Sequence, residues 1–212
     1  MSYLKSGEDK NYFGFPYRDY VLEKKCLFIH IPKTAGSSVG TALMDGGVYR
    51  DHLPQYVYQQ ANKSLFDDLF KFSFVRNPWD RAVSVYFYLK NKKPLGQVDQ
   101  YYHELFNTKI NTFAKFVYFL RDNGVDNFTL FQTQSFYVVD YKGDVVVDFL
   151  GRFENIVEDV DFIGHRLKLD LSIKHKNKTL DRDCYQKYYD DETKDIISDL
   201  YKADVDNFGY KF

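Results

Sequence analysis

Apolar residues fall along this chain in two rhythms. Short unbroken runs alternate with longer stretches in which an apolar position recurs every three or four residues. Residues 26–31, Cys-Leu-Phe-Ile-His-Ile, form one unbroken run, and Pro32 and Gly36 follow it at once. Such a run predicts a strand covered on both faces, as in a parallel sheet. Residues 35–44 then predict a helix that stops at Gly46-Gly47. Residues 71–76, Lys-Phe-Ser-Phe-Val-Arg, repeat the pattern. Asn77 is suited to an N-cap and Pro78 to the first position of a helix running to about Asn91. Residues 145–149 predict a third strand. Phe113, Phe116, Val117 and Leu120 lie at helical spacing within residues 111–122, and further helices are expected over 155–168 and 191–205. Asp190, Asp191 and Glu192 open the last of these. Residues 1–25 show no clear period and read as an irregular lead-in, which leaves 26–212 as one domain. The alternation of strands and helices specifies an α/β fold with a central, mostly parallel sheet flanked by helices. Right-handed crossovers put the loops that follow the strands at one edge of that sheet.

Composition narrows the classes. A chain of 212 residues is long enough for one well-filled core. A net charge of -1 argues against a general nucleic-acid binder, which carries a basic excess. Phe, Tyr and Trp make up 19% of the chain. Most of these rings are expected in the core; Tyr101, Tyr102 and Tyr118 fit either packing or stacking on a sugar. Cys26 and Cys184 have neither metal-ligand spacing nor the numbers for a disulfide framework. No apolar run spans a membrane, and the first 25 residues lack the apolar stretch of a signal peptide, so a cytoplasmic protein is expected.

Two loops carry candidate chemistry. Lys33, Thr34, Ala35, Gly36, Ser37 and Ser38 sit between the first strand and its helix. Free N–H groups of the first helical turn and the helix dipole favour an anion there. Gly36 lets the backbone approach a ligand, the three hydroxyls donate, and Lys33 adds charge. The ATP-binding pattern G-x-x-x-x-G-K-[ST] is absent, because the lysine precedes the glycine. At the second loop, Arg76 ends a strand and Ser84 follows eight residues later, about 12 Å of helical rise at ~1.5 Å per residue. One phosphate can share both only if the turn at Asn77-Pro78 folds Arg76 back along the helix. Asp80 and Arg81 read as a surface pair and Trp79 as packing at the helix start.

The string Phe28-Ile29-His30-Ile31-Pro32-Lys33-Thr34-Ala35-Gly36-Ser37-Ser38 resembles the 5′-phosphosulfate loop of the sulfotransferases that use 3′-phosphoadenosine-5′-phosphosulfate (PAPS). It is most similar to the branch of the Golgi carbohydrate sulfotransferases and their bacterial relatives. Arg76-Asn77-Pro78-Trp79-Asp80-Arg81 with Ser84 resembles the family's 3′-phosphate motif. Gly151-Arg152-Phe153-Glu154 and the C-terminal residues extend the likeness over roughly 26–212. The resemblance implies a P-loop-like nucleotide-binding topology, PAPS as donor, 3′,5′-ADP as product, no metal, and a carbohydrate or other hydroxyl acceptor. It implies Arg76 and Ser84 as 3′-phosphate ligands. Arg152 and Glu154 read as an ion pair, with Arg152 facing the nucleotide as the other possibility. The basic loop 174–179 has two readings, a solvated connector or a flap that brings Lys178 and Thr179 to a phosphate.

Sulfuryl transfer calls for a cation at the leaving oxygen and a base for the acceptor's proton. Lys33 suits the first. Of five histidines, His30 reads as a core residue, His103 and His165 lie on helices away from the loops, and His175 sits in the basic loop. His52 is the candidate base, since members of the resembled branch often carry a histidine between the two motifs; Asp51 could orient it or stand in for it. Two other classes stay open: a nucleotide-dependent phosphotransferase (kinase) of related fold, and a non-catalytic nucleotide-binding protein. The lysine position argues against the first, and the joint presence of Lys33, Arg76 and Ser84 against the second.

Overall fold

A computed structural model describes residues 15–44, 51–91, 97–171 and 184–212. The fold is α/β, built on a three-stranded parallel sheet in the order β1-β2-β3. The strands are β1 (Cys26–Phe28), β2 (Phe70–Val75) and β3 (Phe149–Arg152). Phe28 faces Phe72, and Phe72 in turn faces Phe149. Every residue of β1 and all but the first of β2 are buried, which is the signature of strands covered on both faces. Pairing runs slightly past β1: the Ile29 N–H donates to Phe72 O at 3.0 Å, and Ser73 Oγ donates to Ile29 O at 2.6 Å.

Helices supply the rest. In chain order they are α1 (Asp19–Lys24), α2 (Gly36–Leu43), α3 (Gln55–Ala61), α4 (Lys63–Asp68), α5 (Pro78–Asn91), α6 (Gln97–Thr108), α7 (Phe113–Asn123), α8 (Ser135–Val138), α9 (Ile156–Leu167), α10 (Asp191–Leu200) and α11 (Lys202–Phe208). Helix α1 lies in the segment expected to be irregular. It is one and a half turns long, too short to show a period, and it holds because Tyr20 and Val21 are buried against the core. The helix expected over 191–205 is two helices broken at Tyr201. An Asp190–Thr193 capping box opens α10, and Gly209 closes α11 with φ 64°.

The third strand is displaced from its expected place at 145–149. Val145 makes only an antiparallel bridge with Val139. The chain joins the sheet at Asp148, whose N–H donates to Lys71 O at 2.8 Å. An apolar run fixes neither end of a strand, and this one overlaps the true strand by a single residue.

Two cores result. One surrounds the sheet with α1–α4, α8 and α9. The other lies among α5, α6, α7 and α10, where Tyr86 meets Phe106, Phe113 and Phe116 within 6.1 Å. This second core explains much of the aromatic content. Tyr102 stacks on Phe128, and the Tyr118 hydroxyl donates to Glu192 at 3.0 Å; Tyr101 is exposed. All three strands run the same way, so the segments after β1, β2 and β3 meet at one edge.

Candidate functional site

The segment after β1 turns twice through left-handed backbone. Lys33 has φ 69° and Ala35 φ 67°, and neither is glycine, so the turn carries strain. Ala35 is the N-cap of α2, and no side chain caps that helix. Ser38 N–H turns back to Ala35 O at 3.0 Å, while the N–H groups of Gly36 and Ser37 have no carbonyl one turn earlier within the helix. Thr34 is fully buried and its hydroxyl donates to Ile31 O at 2.9 Å, so it braces the turn from inside. Ser37 is exposed and Ser38 half-buried at the helix start.

Gly36 has a local reason to be glycine that the ligand argument did not foresee. A Cβ there would lie 2.0 Å from His30 Cδ2, so the buried imidazole occupies the space. His30 also packs against His52, with ring centroids 4.3 Å apart.

The segment after β2 is held by side chains. Arg76 Nε donates to Asp80 Oδ2 at 2.7 Å, and its Nη1 donates to Lys33 O at 3.1 Å. Its guanidinium lies 3.9 Å above the Phe153 ring. Burial pushes its pKa down to about 10, which leaves it charged at neutral pH. Gln134, fully buried, grips the Arg76 main chain at both polar groups: Oε1 accepts from N–H and Nε2 donates to O, each at 2.8 Å. The amide thus imitates a neighbouring strand. Asp204 in turn accepts from the N–H groups of Gln134 and Ser135 at 2.8 and 2.7 Å. Its own carboxyl is raised above the usual range by burial, against the opposing pull of Arg81 and these N–H donors.

Asn77 caps α5, its Oδ1 accepting from Trp79 N–H at 3.1 Å. Its own N–H donates to Glu154 at 2.7 Å and its amide to Lys211 O at 2.9 Å. Trp79 packs as expected, with Nε1 donating to Lys194 O.

The Arg76 guanidinium folds back to Asp80, and Asp80, Ser84 and Tyr88 recur at four-residue steps on one face of α5. The Lys33 ammonium lies 4.1 Å over the Tyr88 ring. Ser84, half-buried, therefore sits on α5 between the residue that meets Arg76 and the residue that meets Lys33.

Three expectations are corrected. Asp80 and Arg81 are not a surface pair, since Asp80 bonds Arg76 and Arg81 is buried at 1% exposure. Arg152 does not pair with Glu154: it donates to Phe208 O at 2.7 Å, while Glu154 accepts from Asn77 and from the Tyr210 hydroxyl. Asp51 is turned to Arg18, which donates to both carboxylate oxygens, rather than held as an orienting partner of His52.

His52 is oriented by a main-chain group instead. Its Nδ1 lies 3.1 Å from His30 O. A carbonyl can only accept, so Nδ1 carries the proton and Nε2 the lone pair. Burial lowers the His52 pKa; Arg81 and Lys33 lower it further, while the His30 bond and Asp51 oppose them. Neutral imidazole is the ordinary state at neutral pH.

Lys178, Thr179 and His175 lie outside the described residues. Gln134, Asp204 and the buried position of Arg81 were not legible beforehand, because none falls in a pattern that marks a site. Among the described residues no cluster of His, Cys, Asp or Glu could hold a metal ion, and no helix is long and apolar enough to cross a membrane.

Comparison with known proteins agrees with this geometry at the level of family. No solved structure matches the chain. A protein of Archaeoglobus fulgidus, described only as uncharacterized, is 28% identical over 131 residues, covering 62% of this chain and 94% of the relative. The model of the sulfotransferase family matches residues 20–211, nearly the whole chain, and the protein is a member of that family.

Proposed function

We propose that the protein transfers the sulfuryl group of PAPS to an acceptor hydroxyl by in-line displacement. The observation that carries this reading is the single face of α5 that joins Arg76 and Asp80 at one end to Tyr88 and Lys33 at the other, with Ser84 between. A nucleotide phosphorylated at both ends of its ribose needs two anion sites; a nucleoside triphosphate needs one continuous cradle and a metal.

In this mechanism the 5′-phosphosulfate lies on the start of α2, against the N–H groups of Gly36 and Ser37 and the hydroxyls of Ser37 and Ser38. Arg76 and Ser84 hold the 3′-phosphate. The acceptor oxygen attacks sulfur while the bond from sulfur to the bridging phosphate oxygen breaks. Lys33 leaves the Tyr88 face and neutralises the charge that gathers on that oxygen. His52 Nε2 takes the acceptor's proton. Thr34 and Ala35 shape the turn, and Lys178 and Thr179 are assigned to the nucleotide side by resemblance alone. The acceptor class, a carbohydrate hydroxyl, also rests on resemblance.

The test has two parts. Calorimetry should give tight binding of 3′,5′-ADP and weak binding of ATP with Mg²⁺. A ³⁵S-PAPS transfer screen over glycans, lipids and small alcohols should label a hydroxyl compound. Tight ATP–Mg²⁺ binding with weak 3′,5′-ADP binding would replace this reading by the phosphotransferase.

A further inference from the structure

We propose that Arg81 is a positioning residue for the 5′ end of the nucleotide: from beneath the loop it holds the Pro32 carbonyl and thereby aims the loop's N–H groups at the 5′-phosphate. The inference rests on the nucleotide reading above and adds a residue to it.

Arg81 projects from the first turn of α5 into the interior, at 1% exposure. A buried guanidinium is costly unless its donors are satisfied. Its Nε donates to Pro32 O at 3.0 Å and its Nη2 to Leu130 O at 3.2 Å. Tyr201 lies 5.9 Å below, and the buried Asp204 feels its charge. The fork is thus spent on two main-chain carbonyls, and one of them immediately precedes Lys33.

Peptide planarity turns this anchor into an aim. In a trans peptide the C=O and the N–H point in opposite directions. With Pro32 O held by Arg81, the Lys33 N–H faces away from Arg81. With Lys33 O held by Arg76 Nη1 at 3.1 Å, the Thr34 N–H faces away from Arg76. Two arginines five residues apart on one segment therefore grip successive carbonyls of the loop. The left-handed backbone at Lys33 and Ala35 is what this grip sustains, and a turn of that kind gathers N–H groups into an anion-binding concavity. In the reading above Arg76 serves both phosphate sites, whereas Arg81 holds the loop of the 5′ side and, at Leu130 O, a carbonyl outside both loops.

That asymmetry gives a test which loose packing cannot imitate. Calorimetry on the full chain would compare 3′,5′-ADP with adenosine 3′-monophosphate, which lacks the 5′-phosphate. In Arg81→Lys the charge stays but the two-pronged fork is lost. In Arg81→Gln the charge is removed while an amide donor remains and Asp204 keeps its hold on Gln134, so a second variant stands should the first fail to fold. The affinity for 3′,5′-ADP should fall about tenfold or more in either variant, the scale of a lost charge-assisted hydrogen bond. The affinity for adenosine 3′-monophosphate should stay within about twofold of the parent. Equal losses for both nucleotides would assign Arg81 to packing alone and overturn the proposal, as would unchanged affinity for 3′,5′-ADP. A parent protein that binds neither nucleotide would instead bring down the donor assignment beneath it.

Discussion

The two loops at the sheet edge solve one problem in opposite ways. After β1 the chain offers main-chain N–H groups, strained non-glycine turns at Lys33 and Ala35, and a lysine resting on an aromatic face. After β2 it offers a nearly immobile arginine, tied through Asp80, Gln134, Lys33 O and the Phe153 ring. The first region is held by main-chain bonds and a cation–ring contact; the second is tied by several side chains at once. In the proposed reaction that division would serve transfer, one end of the donor being held while charge shifts at the other. The second region, through Arg76 and Arg81, also anchors two carbonyls of the first, so the strain at Lys33 is sustained by that grip together with the Thr34–Ile31 bond.

The sharpest way to break the contrast is at Lys33. Lys33→Ala should cut turnover by about 10²–10³-fold, the usual scale for a lost charge-stabilising group. Binding of 3′,5′-ADP should fall only a few-fold, about 1 kcal/mol or less, as for an exposed charge pair. Calorimetry beside a ³⁵S transfer assay separates the two. A loss of binding as large as the loss of turnover would make Lys33 a clamp and erase the distinction.

His52→Ala should reduce turnover by about 10²-fold at neutral pH. The pH dependence sharpens this. A base works when unprotonated, and burial lowers the His52 pKa. The acid limb of kcat/KM should therefore lie below the ordinary histidine value of about 6.5, with activity retained at pH 6.5 and lost as pH falls further. A limb above that value, or normal turnover in the variant, removes His52 from the mechanism.

After β2 the balance reverses. Arg76→Ala should weaken 3′,5′-ADP binding by about 1.5–3 kcal/mol, the range of a hydrogen bond to a charged group. Turnover at saturating donor should fall less than in Lys33→Ala. Gly36→Ala probes the packing beneath the loop. Its Cβ would meet the His30 ring at 2.0 Å, and overpacking of that kind costs about 1–3 kcal/mol in denaturant unfolding. Unchanged stability would mean that the imidazole yields freely and does not define the loop.

The loop after β1 was the more legible of the two in the sequence. Its features are local: an apolar run, a glycine, hydroxyls and a lysine within a few residues. Even there the reason for Gly36 was hidden, because His30 returns to it through space. The loop after β2 was legible in the Asn77 cap and the packing of Trp79. Gln134 and Asp204 act on Arg76 from 58 residues away and through a further link of 70 residues. No spacing encodes such contacts. Arg81 was misplaced for a related reason. An Asp-Arg dipeptide at a helix start resembles a surface pair, and only the tertiary fold shows that Asp80 turns to Arg76 while Arg81 enters the interior. The third strand was shifted because the Val145-Val146-Val147 run is as apolar as a strand, while the true partner segment includes Gly151, whose missing side chain makes room for Phe74.

The smallest expected effect concerns Asp51. Its neighbour His52 invites an Asp–His relay, in which loss of the carboxylate costs about 10⁴-fold in turnover through the wrong tautomer. The geometry assigns that task to the His30 carbonyl, 3.1 Å from Nδ1, while Asp51 faces Arg18. Asp51→Asn therefore leaves the tautomer in place. It removes one influence that raises the His52 pKa, so the acid limb should move slightly lower. Turnover at pH 8 should stay within about threefold, and stability should change by about 1 kcal/mol, because the Arg18–Asp51 pair is partly exposed. A loss of several hundred-fold would put the carboxylate back behind the imidazole and leave the His30 carbonyl a bystander.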